Sequence, residues 1–327
     1  MKLTVFTPTY NRSETLECIF KALCRQTDKR FEWLIIDDGS IDDTKERIDY
    51  FVNQNVGFEI RYYYQSHGGK HRAQNRAIDL AKGELFITCD SNKYPAENMV
   101  ALVLNVSETI RGIPLMCGVG GYRADFSGNI WGGEMCIKDR FLDCTYLERE
   151  KYHVLGDKAT VFYTEILKKY KSPEYPNEDF VSESVWLIPM AMQGYKTRWF
   201  PEILIYGEYA KNGLTQTGAN SHSGHEKNFF GFLQLVKVEK EAKGTNAVLY
   251  LLYEALDIAK SKKMPDRDLT KRIGCSWEEL LYLRIIRIYH SAYGKISSLV
   301  KRIIGEEKTE IIRKMRKERS CYLVSKK

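Results

Sequence analysis

The sequence lacks any long uninterrupted hydrophobic run. A helix that crosses a bilayer needs about eighteen or more apolar residues, whereas the longest strongly hydrophobic, charge-free stretch, Ser184 to Tyr195, is shorter. The chain also enters an apolar, strand-like run at Leu3 without a basic leader or a cleavage site, which argues against a secretory signal. We therefore expect a cytoplasmic protein.

Two kinds of motif are missing as well. None of the eight cysteines forms a Cys-x-x-Cys pair, so reduced thiols are expected and a structural zinc site is disfavoured. No Gly-x-Gly-x-x-Gly follows the first strand-like run, so the dinucleotide-binding fingerprint is absent. That absence disfavours a dehydrogenase or a nucleotidyltransferase.

Net charge is small outside the C-terminal end. The whole chain carries +7, and residues 301–327 hold ten Lys or Arg against four Glu. Such a basic tail fits either a phosphate-bearing surface or a solvated helix end. Basic residues are not interleaved with aromatic ones there, so no nucleic-acid partner is expected.

The first 125 residues alternate between strand-like and helix-like patterns, which predicts an α/β fold with a mainly parallel sheet flanked by helices. The expected strands are Lys2–Thr9, Glu32–Asp37, Glu59–Tyr64 and Glu84–Cys89. The expected helices are Ser13–Gln26, Asp42–Asn53, Lys70–Lys82 and Pro95–Ile110.

The rest of the chain is less regular at first and then helical. Residues 115–205 are rich in glycine and aromatic residues, and we expect a helix near Thr160–Tyr170. From about Ser221 onward the pattern is helical and amphipathic. Ser276 and Glu279 have the spacing of a capping box before an apolar-rich helix, Leu280–Ile304.

Polar residues follow three of the predicted strands: Thr7–Arg12, Asp37–Ser40 and Asp90–Asn92. The carboxyl ends of parallel strands meet at one edge, where ligands of open α/β sheets bind. Each cluster taken alone is also compatible with a simple turn. The three together favour a binding site.

The segments TPTYNR, DDGS, GGKHRAQNRAI, CDSN and NEDF occur in the order and spacing of family 2 glycosyltransferases. Over residues 1–210 the chain resembles this family, which implies the GT-A (Rossmann-like) fold and inverting transfer of a sugar from a nucleotide diphosphate to a hydroxyl. The implied organisation is a catalytic domain, 1–220, with a nucleotide-binding half (1–112) and an acceptor-binding half (113–220). A helical extension with a basic tail, 221–327, would follow.

The resemblance also implies donor contacts. The base would lie against Pro8 and Tyr10 and be hydrogen-bonded by Asp38. The base and diphosphate side would face Arg12, Gly69, Lys70, Arg72 and Asn75, the ribose would meet Asp90 and Ser91, and the sugar would meet Asp157.

A divalent cation, Mn²⁺ or Mg²⁺, is implied at Asp90 and Asn92. Position 92 carries an amide where a carboxylate is usual, and carboxylates bind hard cations better. Three interpretations follow. The metal site is weaker, or a residue elsewhere in the chain supplies the missing ligand (His222 and His225 are the candidates), or the chain is altered so that a complex is trapped. The alternative function is a catalytically impaired nucleotide-sugar-binding protein.

An inverting transfer needs a base, and the resemblance assigns Asp179, with Glu178 as its neighbour or an acceptor contact. Glu183 is the second candidate for the base. The same acids also suit the first turn of a following helix. Trp131, Trp186 and Trp199 suit either the acceptor cleft or the core.

The expected partners are a UDP-sugar donor and a saccharide acceptor, lipid-linked or free, in the synthesis of a cell-surface polysaccharide. The basic C-terminus predicts contact with an anionic membrane on the inner face of the cell membrane. The alternative is that the C-terminal helices pack on the catalytic domain or form a homodimer contact.

Overall fold

The computed structural model describes residues 2–208 and 219–287. Its N-terminal part alternates strands and helices, as the sequence predicts. The elements are β1 (Leu3–Thr9), α1 (Ser13–Cys24), β2 (Phe31–Asp37), α2 (Thr44–Val52), β3 (Glu59–Tyr64), α3 (Lys70–Leu80), β4 (Leu85–Thr88), β5 (Lys93–Pro95) and α4 (Met99–Glu108).

The following part is more irregular, as its composition predicts. It contains β6 (Met116–Ala124), β7 (Leu142–Thr145), β8 (Ala159–Tyr163), α5 (Thr164–Leu167), α6 (Ser184–Met192), β9 (Lys196–Gly207), α7 (His222–Lys227) and α8 (Phe229–Lys243). Three short 3₁₀ helices lie at Tyr146–Glu148, Glu150–Tyr152 and Thr245–Val248.

The helix expected near Thr160–Tyr170 is wrong in its first half. Residues Ala159–Tyr163 form β8, and only the single turn of α5 follows. β8 pairs with β4 on one side and with β6 on the other. Its β-branched and aromatic side chains suit this half-buried position inside a sheet.

The strands form one mixed sheet in the order β3-β2-β1-β4-β8-β6-β9-β5, with β7 paired to β9. The first four positions in this order are joined by parallel pairings, which is the parallel arrangement predicted from the N-terminal sequence. β8 then runs antiparallel to both of its neighbours. β1 therefore lies between β2 and β4, in the parallel half of the sheet.

Hydrophobic side chains cover both faces of the sheet. On one face, residues of α1, α2 and α4 pack with alternate strand residues such as Val5 and Ile35. On the other face, residues of α3 and α6 pack with Phe6 and Ile36. Because neighbouring strand residues point to opposite faces, the near-continuous apolar runs of β1 and β2 predict this double cover.

The chain divides into two compact units, the first ending at Ala247 and the second beginning at Val248. The second contains α9 (Leu249–Ser261), α10 (Asp266–Ile273) and helical residues 277–287. The Ser276 hydroxyl accepts a hydrogen bond from the Glu279 N–H at 3.1 Å, as the capping pattern predicts. The predicted helix Leu280–Ile304 is described only to residue 287, and the basic tail lies outside the described residues.

None of the helices within residues 2–208 and 219–287 has both the length and the apolar character needed to span a membrane.

Candidate active site

The carboxyl ends of β1, β2 and β4 lie along one edge of the sheet. Thr9 at the end of β1 is in register with Asp37 at the end of β2, and the N–H of Asp38 donates to the Thr9 carbonyl at 2.8 Å. On the other side of β1, Thr88 at the end of β4 is in register with Phe6. The polar clusters that follow β2 and β4 therefore flank β1, as the sequence predicts.

The buried carboxylate of Asp38 holds the loop that precedes α3. One oxygen accepts from Gln65 Nε2 at 2.7 Å and from the Gly68 N–H at 3.0 Å. The other accepts from the Gly69 N–H at 2.8 Å and lies 2.9 Å from His67 Nδ1. Each oxygen thus meets two nitrogen atoms of the protein. The predicted contact of Asp38 with a nucleobase stays a prediction.

Gly69 brings this loop against the loop that carries Asp179. Its φ is +94°, and a Cβ atom built on it would lie 1.8 Å from the Asp179 carbonyl oxygen. No residue with a side chain fits such an approach, and the left-handed φ independently favours glycine. The candidate base loop therefore lies directly against the start of α3.

Lys70, the next residue, contacts the acid that follows β4. Its Nζ lies 2.8 Å from Asp90 Oδ1. Arg123, from β6, approaches the other oxygen of Asp90 at 3.9 Å and Asp157 at 3.3 Å. Two cations and two carboxylates thus alternate across the site. The carboxylates of Asp38 and Asp90 and the backbone carbonyl of Asp179 all lie against the Gly69–Lys70 pair.

The charges in this cluster stabilise one another. Burial raises the pKa of Asp90, but the positive charges of Lys70 and Arg123 outweigh burial and lower this pKa to about 2. Burial lowers the pKa of Lys70, but the attraction of Asp90 and Glu183 outweighs this and the pKa lies above its ordinary value. Asp90 and Lys70 are therefore both ionised at neutral pH, and Glu183 is close enough to interact electrostatically with Lys70.

Glu178 binds the N-terminus of α8. Its buried carboxylate accepts from the N–H groups of Phe230 at 2.6 Å and Gly231 at 2.9 Å. The first N–H groups of a helix have no partner within the helix, and a negative charge there also interacts favourably with the helix dipole. Glu178 does cap a helix, as the sequence alternative allowed, but that helix lies 50 residues further along and is not α6.

Asp179 points its carboxylate to the surface beside α7. It is about one-third exposed and pairs with Lys227 at 2.5 Å. The side-chain oxygen of Asn228 accepts from the N–H groups of Asp179 and Phe180, at 2.9 and 3.0 Å, and so fixes the backbone of this loop. Burial raises the pKa of Asp179, but Lys227 and Asn228 outweigh it and the pKa lies below its ordinary value. The carboxylate is thus ionised, as a base requires.

An aromatic pair lies at the end of β1. The rings of Tyr10 and His67 are stacked with centroids 4.2 Å apart, and Tyr10 is 44% exposed. Pro8 is half-buried two residues earlier, and Arg12 ends the loop before α1. An exposed phenol ring at this edge is suited to stacking on a base.

Asn75 and Arg72 are used to hold the segment that leads to Asp179. Asn75 exchanges hydrogen bonds with the backbone of Ser172, at 2.8 and 3.0 Å, and donates to Glu174 at 2.8 Å. Arg72 donates to the Tyr175 carbonyl. Their predicted contacts with the donor stay predictions, while the structure gives them a positioning role.

The tryptophans divide between core and site. Trp186 and Trp199 are buried, at 5% and 2% exposure, and pack in hydrophobic clusters. Trp131 is half-buried, and Lys93 Nζ lies 4.7 Å from its ring centroid. Trp131 is therefore the one of the three placed beside the charged cluster.

The two histidines considered for completing a metal site lie on α7. His225 is buried and stacks on Phe232 with centroids 4.0 Å apart. Its ring is thus occupied in packing α7 against α8. His222 is the first residue of α7.

A divalent cation is poorly matched by the residues described. Both oxygens of Asp90 face cationic side chains, and the Asn92 amide nitrogen lies 3.4 Å from the Glu208 carbonyl. Within the described ranges no three His, Cys, Asp or Glu side chains are grouped to hold a metal ion. Hard cations take several oxygen ligands, so this donor set does not fit a divalent cation.

Two residues of the cluster escaped the sequence analysis, Arg123 and Lys93. Both are buried, at 8% and 6% exposure. Arg123 lies within a glycine-rich strand and Lys93 directly after Asn92. Lys93 could have been identified, because a basic residue directly after the expected acidic motif is a signal that the sequence contains. Arg123 follows no such motif in the sequence.

An open α/β sheet with polar side chains at the carboxyl ends of its strands defines a class of proteins that bind ligands at that edge. Within this class, the sequence profile of glycosyl transferase family 2 matches residues 4–169, just over half of the chain. The chain belongs to this family.

Two of the curated relatives each match about a third of the chain. Glycosyltransferase GlyG of Streptococcus pneumoniae serotype 4 is 33% identical over 99 residues, 30% of this chain and 32% of GlyG. The uncharacterized glycosyltransferase MG060 of Mycoplasma genitalium is 35% identical over 106 residues, 31% of this chain and 36% of MG060. The chain thus spans about a third of the length of these relatives.

Solved structures extend the likeness over most of the fold. Residues 1–349 of S. aureus TarS in complex with UDP-GlcNAc match with a TM-score of 0.57 at 17% identity, covering 80% of this chain and 73% of that one. Mannosyltransferase PcManGT from Pyrobaculum calidifontis, in complex with GDP-Man and Mn2+, gives 0.50 at 18% identity, covering 93% and 88%. The fold is the GT-A fold.

Proposed function

We propose that the chain is an inverting glycosyltransferase that moves a sugar from a UDP-sugar to an acceptor hydroxyl. The observation that carries the proposal is the Gly69–Lys70 pair. Gly69 contacts both the Asp38 carboxylate and the Asp179 backbone, and Lys70 pairs with Asp90. The candidate nucleobase contact at Asp38, the cationic cluster around Asp90 and the loop that carries Asp179 therefore meet at this pair. TarS and PcManGT, which share the fold, were solved with UDP-GlcNAc and GDP-Man.

The roles follow from this arrangement. Tyr10 stacks on the nucleobase of the donor, and Lys70 and Arg123 face its diphosphate. The acceptor oxygen attacks the anomeric carbon opposite the leaving group, and Asp179 accepts its proton. Because the ionised carboxylate of Asp179 pairs with Lys227, this lysine keeps the base deprotonated until an acceptor hydroxyl replaces it.

Replacing the base tests the proposal. Asp179→Asn is expected to lower transfer by about 10²–10⁴-fold while UDP binding, measured by calorimetry, is unchanged. Asp79→Asn is the matched control, since Asp79 is also an exposed aspartate paired with a lysine, Lys171. Undiminished transfer by the Asp179 variant would show that the base is another residue, with Glu183 the next to test.

The second candidate function is a nucleotide-sugar-binding protein that has lost catalysis. The Lys227 ion pair on Asp179 and the amide at Asn92 favour it. Slow hydrolysis of a UDP-sugar in the absence of acceptor distinguishes the two functions. Tight binding with no hydrolysis, for every sugar in a panel of UDP- and GDP-sugars, would favour the binding protein.

We place the activity at the cytoplasmic face of the cell membrane, in the synthesis of a cell-surface polysaccharide on a free or lipid-linked saccharide. Trp277, Leu281 and Ile285 recur every four residues along helical residues 277–287 and are each more than half exposed. An apolar helix face followed by a basic sequence is typical of a segment lying on anionic lipid.

Co-sedimentation with vesicles containing anionic lipid tests the membrane contact. Deletion of residues 301–327, or Trp277→Ser with Leu281→Ser, is expected to release the protein. If both variants still sediment, the membrane role is wrong. A concentration-dependent dimer of the full chain, abolished by the serine variant, would assign this helix face to a homodimer instead.

The divalent cation that the resemblance implies, Mn²⁺ or Mg²⁺, stays a prediction.

A further inference from the structure

We propose that three side chains, Lys70, Lys93 and Arg123, neutralise the donor diphosphate of this enzyme, so that it binds its nucleotide without a divalent cation. The proposal rests on the nucleotide-sugar function argued above. It adds the way in which the leaving group is stabilised and the metal requirement of the site.

Both oxygens of Asp90 already face positive charge. Lys70 lies 2.8 Å from one oxygen, and Arg123 lies 3.9 Å from the other. A divalent ion bound to Asp90 would lie within a few ångströms of both cations, and like charges at such distances repel strongly in a partly buried site. The structure therefore places monovalent cations where a metal would be needed.

Lys93 adds a third positive charge near Asp90. It follows Asn92 directly, is buried, and its ammonium lies close enough to interact electrostatically with Asp90, Arg123 and Asp157. The Trp131 ring and the Glu208 carbonyl hold it in place. A buried ammonium at this point takes the place that a metal would take as a source of positive charge.

Arg123 has hydrogen-bonding capacity to spare. The residue is only 8% exposed, and its Nε has no hydrogen-bond partner among the described residues. A buried guanidinium N–H without an acceptor is costly. An anionic oxygen of a bound diphosphate would satisfy it, because guanidinium geometry matches phosphate oxygens.

The chemistry balances without a metal. The bond between the anomeric carbon and the β-phosphate oxygen breaks, and its electron pair stays on that oxygen. A new bond forms to the acceptor oxygen, whose proton passes to Asp179. The three cations stabilise the charge that grows on the departing diphosphate, which is fixed electrostatic stabilisation of the transition state.

Calorimetry of UDP binding to the full chain tests the proposal. The dissociation constant in EDTA is expected to equal that in Mn²⁺ within about twofold, well inside the tenfold change that 1.4 kcal/mol represents. Binding that occurs only with Mn²⁺ would overturn the proposal and leave the nucleotide-sugar function standing. Absence of binding in both conditions would overturn the function itself.

Substitutions of two of the three cations, Lys93 and Arg123, test their role at the diphosphate. Lys93→Met and Arg123→Met are each expected to weaken UDP binding by about tenfold or more, the effect of losing one charge-assisted hydrogen bond. Binding of uridine, which has no diphosphate, should be unchanged, and this also shows that the variants are folded. Lys82→Met is the control, because Lys82 is an exposed lysine paired with Glu59. Equal losses of UDP and uridine binding would contradict a role at the diphosphate.

A gain-of-function variant provides an independent check. Asn92→Asp combined with Lys93→Asp adds two carboxylates and removes one cation. UDP binding by this variant is expected to become dependent on Mn²⁺. Binding in EDTA that is as tight as that of the unaltered chain would overturn the assignment of Lys93.

Discussion

Gly69 and Asp179, 110 positions apart in the sequence, are in backbone contact. The space that a Cβ atom of residue 69 would fill is occupied by the carbonyl group of residue 179. This contact joins the loop before α3, which Asp38 holds, to the loop of the candidate base Asp179. The position of the Asp179 loop thus depends on the absence of a side chain at residue 69.

Gly69→Ala is expected to destabilise the fold by several kcal/mol or to displace the Asp179 loop and abolish transfer. Gly128→Ala is the matched control, since Gly128 has a similar φ of +87° but nothing within 4 Å of its Cβ position. The control should lose only about 1 kcal/mol, the cost of the left-handed conformation. Urea unfolding of both variants measures the difference, and equal losses would show that the contact is unimportant.

Glu178→Gln is expected to lower the free energy of unfolding by about 1–3 kcal/mol, because a charged acceptor of two N–H groups at the start of α8 is lost. Asp179→Asn should leave stability nearly unchanged, since its carboxylate pairs at the surface. Thermal unfolding of the two variants checks this contrast. A stable Glu178 variant with impaired transfer would instead indicate that Glu178 contacts the acceptor.

Stability is expected to fall as the pH drops through about 6.5, because of His71. Burial and the nearby Arg72 lower its pKa below the ordinary value of 6.5. The unfolded chain therefore takes up a proton at a higher pH than the folded chain does, and protons favour unfolding in that window. The loss amounts to about 1.4 kcal/mol for each unit between the two pKa values.

Urea unfolding at pH 5 to 8 measures this effect, with His71→Gln as the comparison. The variant cannot take up the proton, so its stability should fall less between pH 7 and pH 5. Parallel pH profiles for the two proteins would mean that His71 does not contribute.

Tyr10→Ala is expected to weaken UDP binding by about tenfold, since stacking of a base on an aromatic ring contributes about 1–3 kcal/mol. Tyr50→Ala is the control, because Tyr50 is 60% exposed on α2, away from the strand ends. Calorimetry checks both. An unchanged affinity in the Tyr10 variant would show that the nucleobase binds elsewhere.

The sequence predicts the parallel half of the sheet well because local periodicity and pairing agree there. Strands β1 to β4 are separated by helices with clear apolar faces, and each pairs with another strand of the same group. Residues near β8 gave no such signal. The periodicity of a five-residue strand is too short to separate from a helix, and its pairing depends on β6, forty residues earlier.

The acidic residues of the site are predicted by motif, but their partners are not. Asp38 satisfies its carboxylate within the loop 65–69, and Glu178 reaches α8, which follows it by 50 residues. Contacts of that range depend on tertiary folding. The position of Arg123 likewise depends on the register of β6, which the sequence alone does not define.

The capping of α8 by Glu178, together with the hold of Asn228 on the Asp179 backbone, sets a rule for chimeras. An exchange of the predicted acceptor-binding halves between relatives that cut the chain near residue 220, the predicted boundary, would separate the loop of Glu178 and Asp179 from the helix that anchors it. Exchanged segments should therefore include residues 222–243, so that both partners come from the same parent.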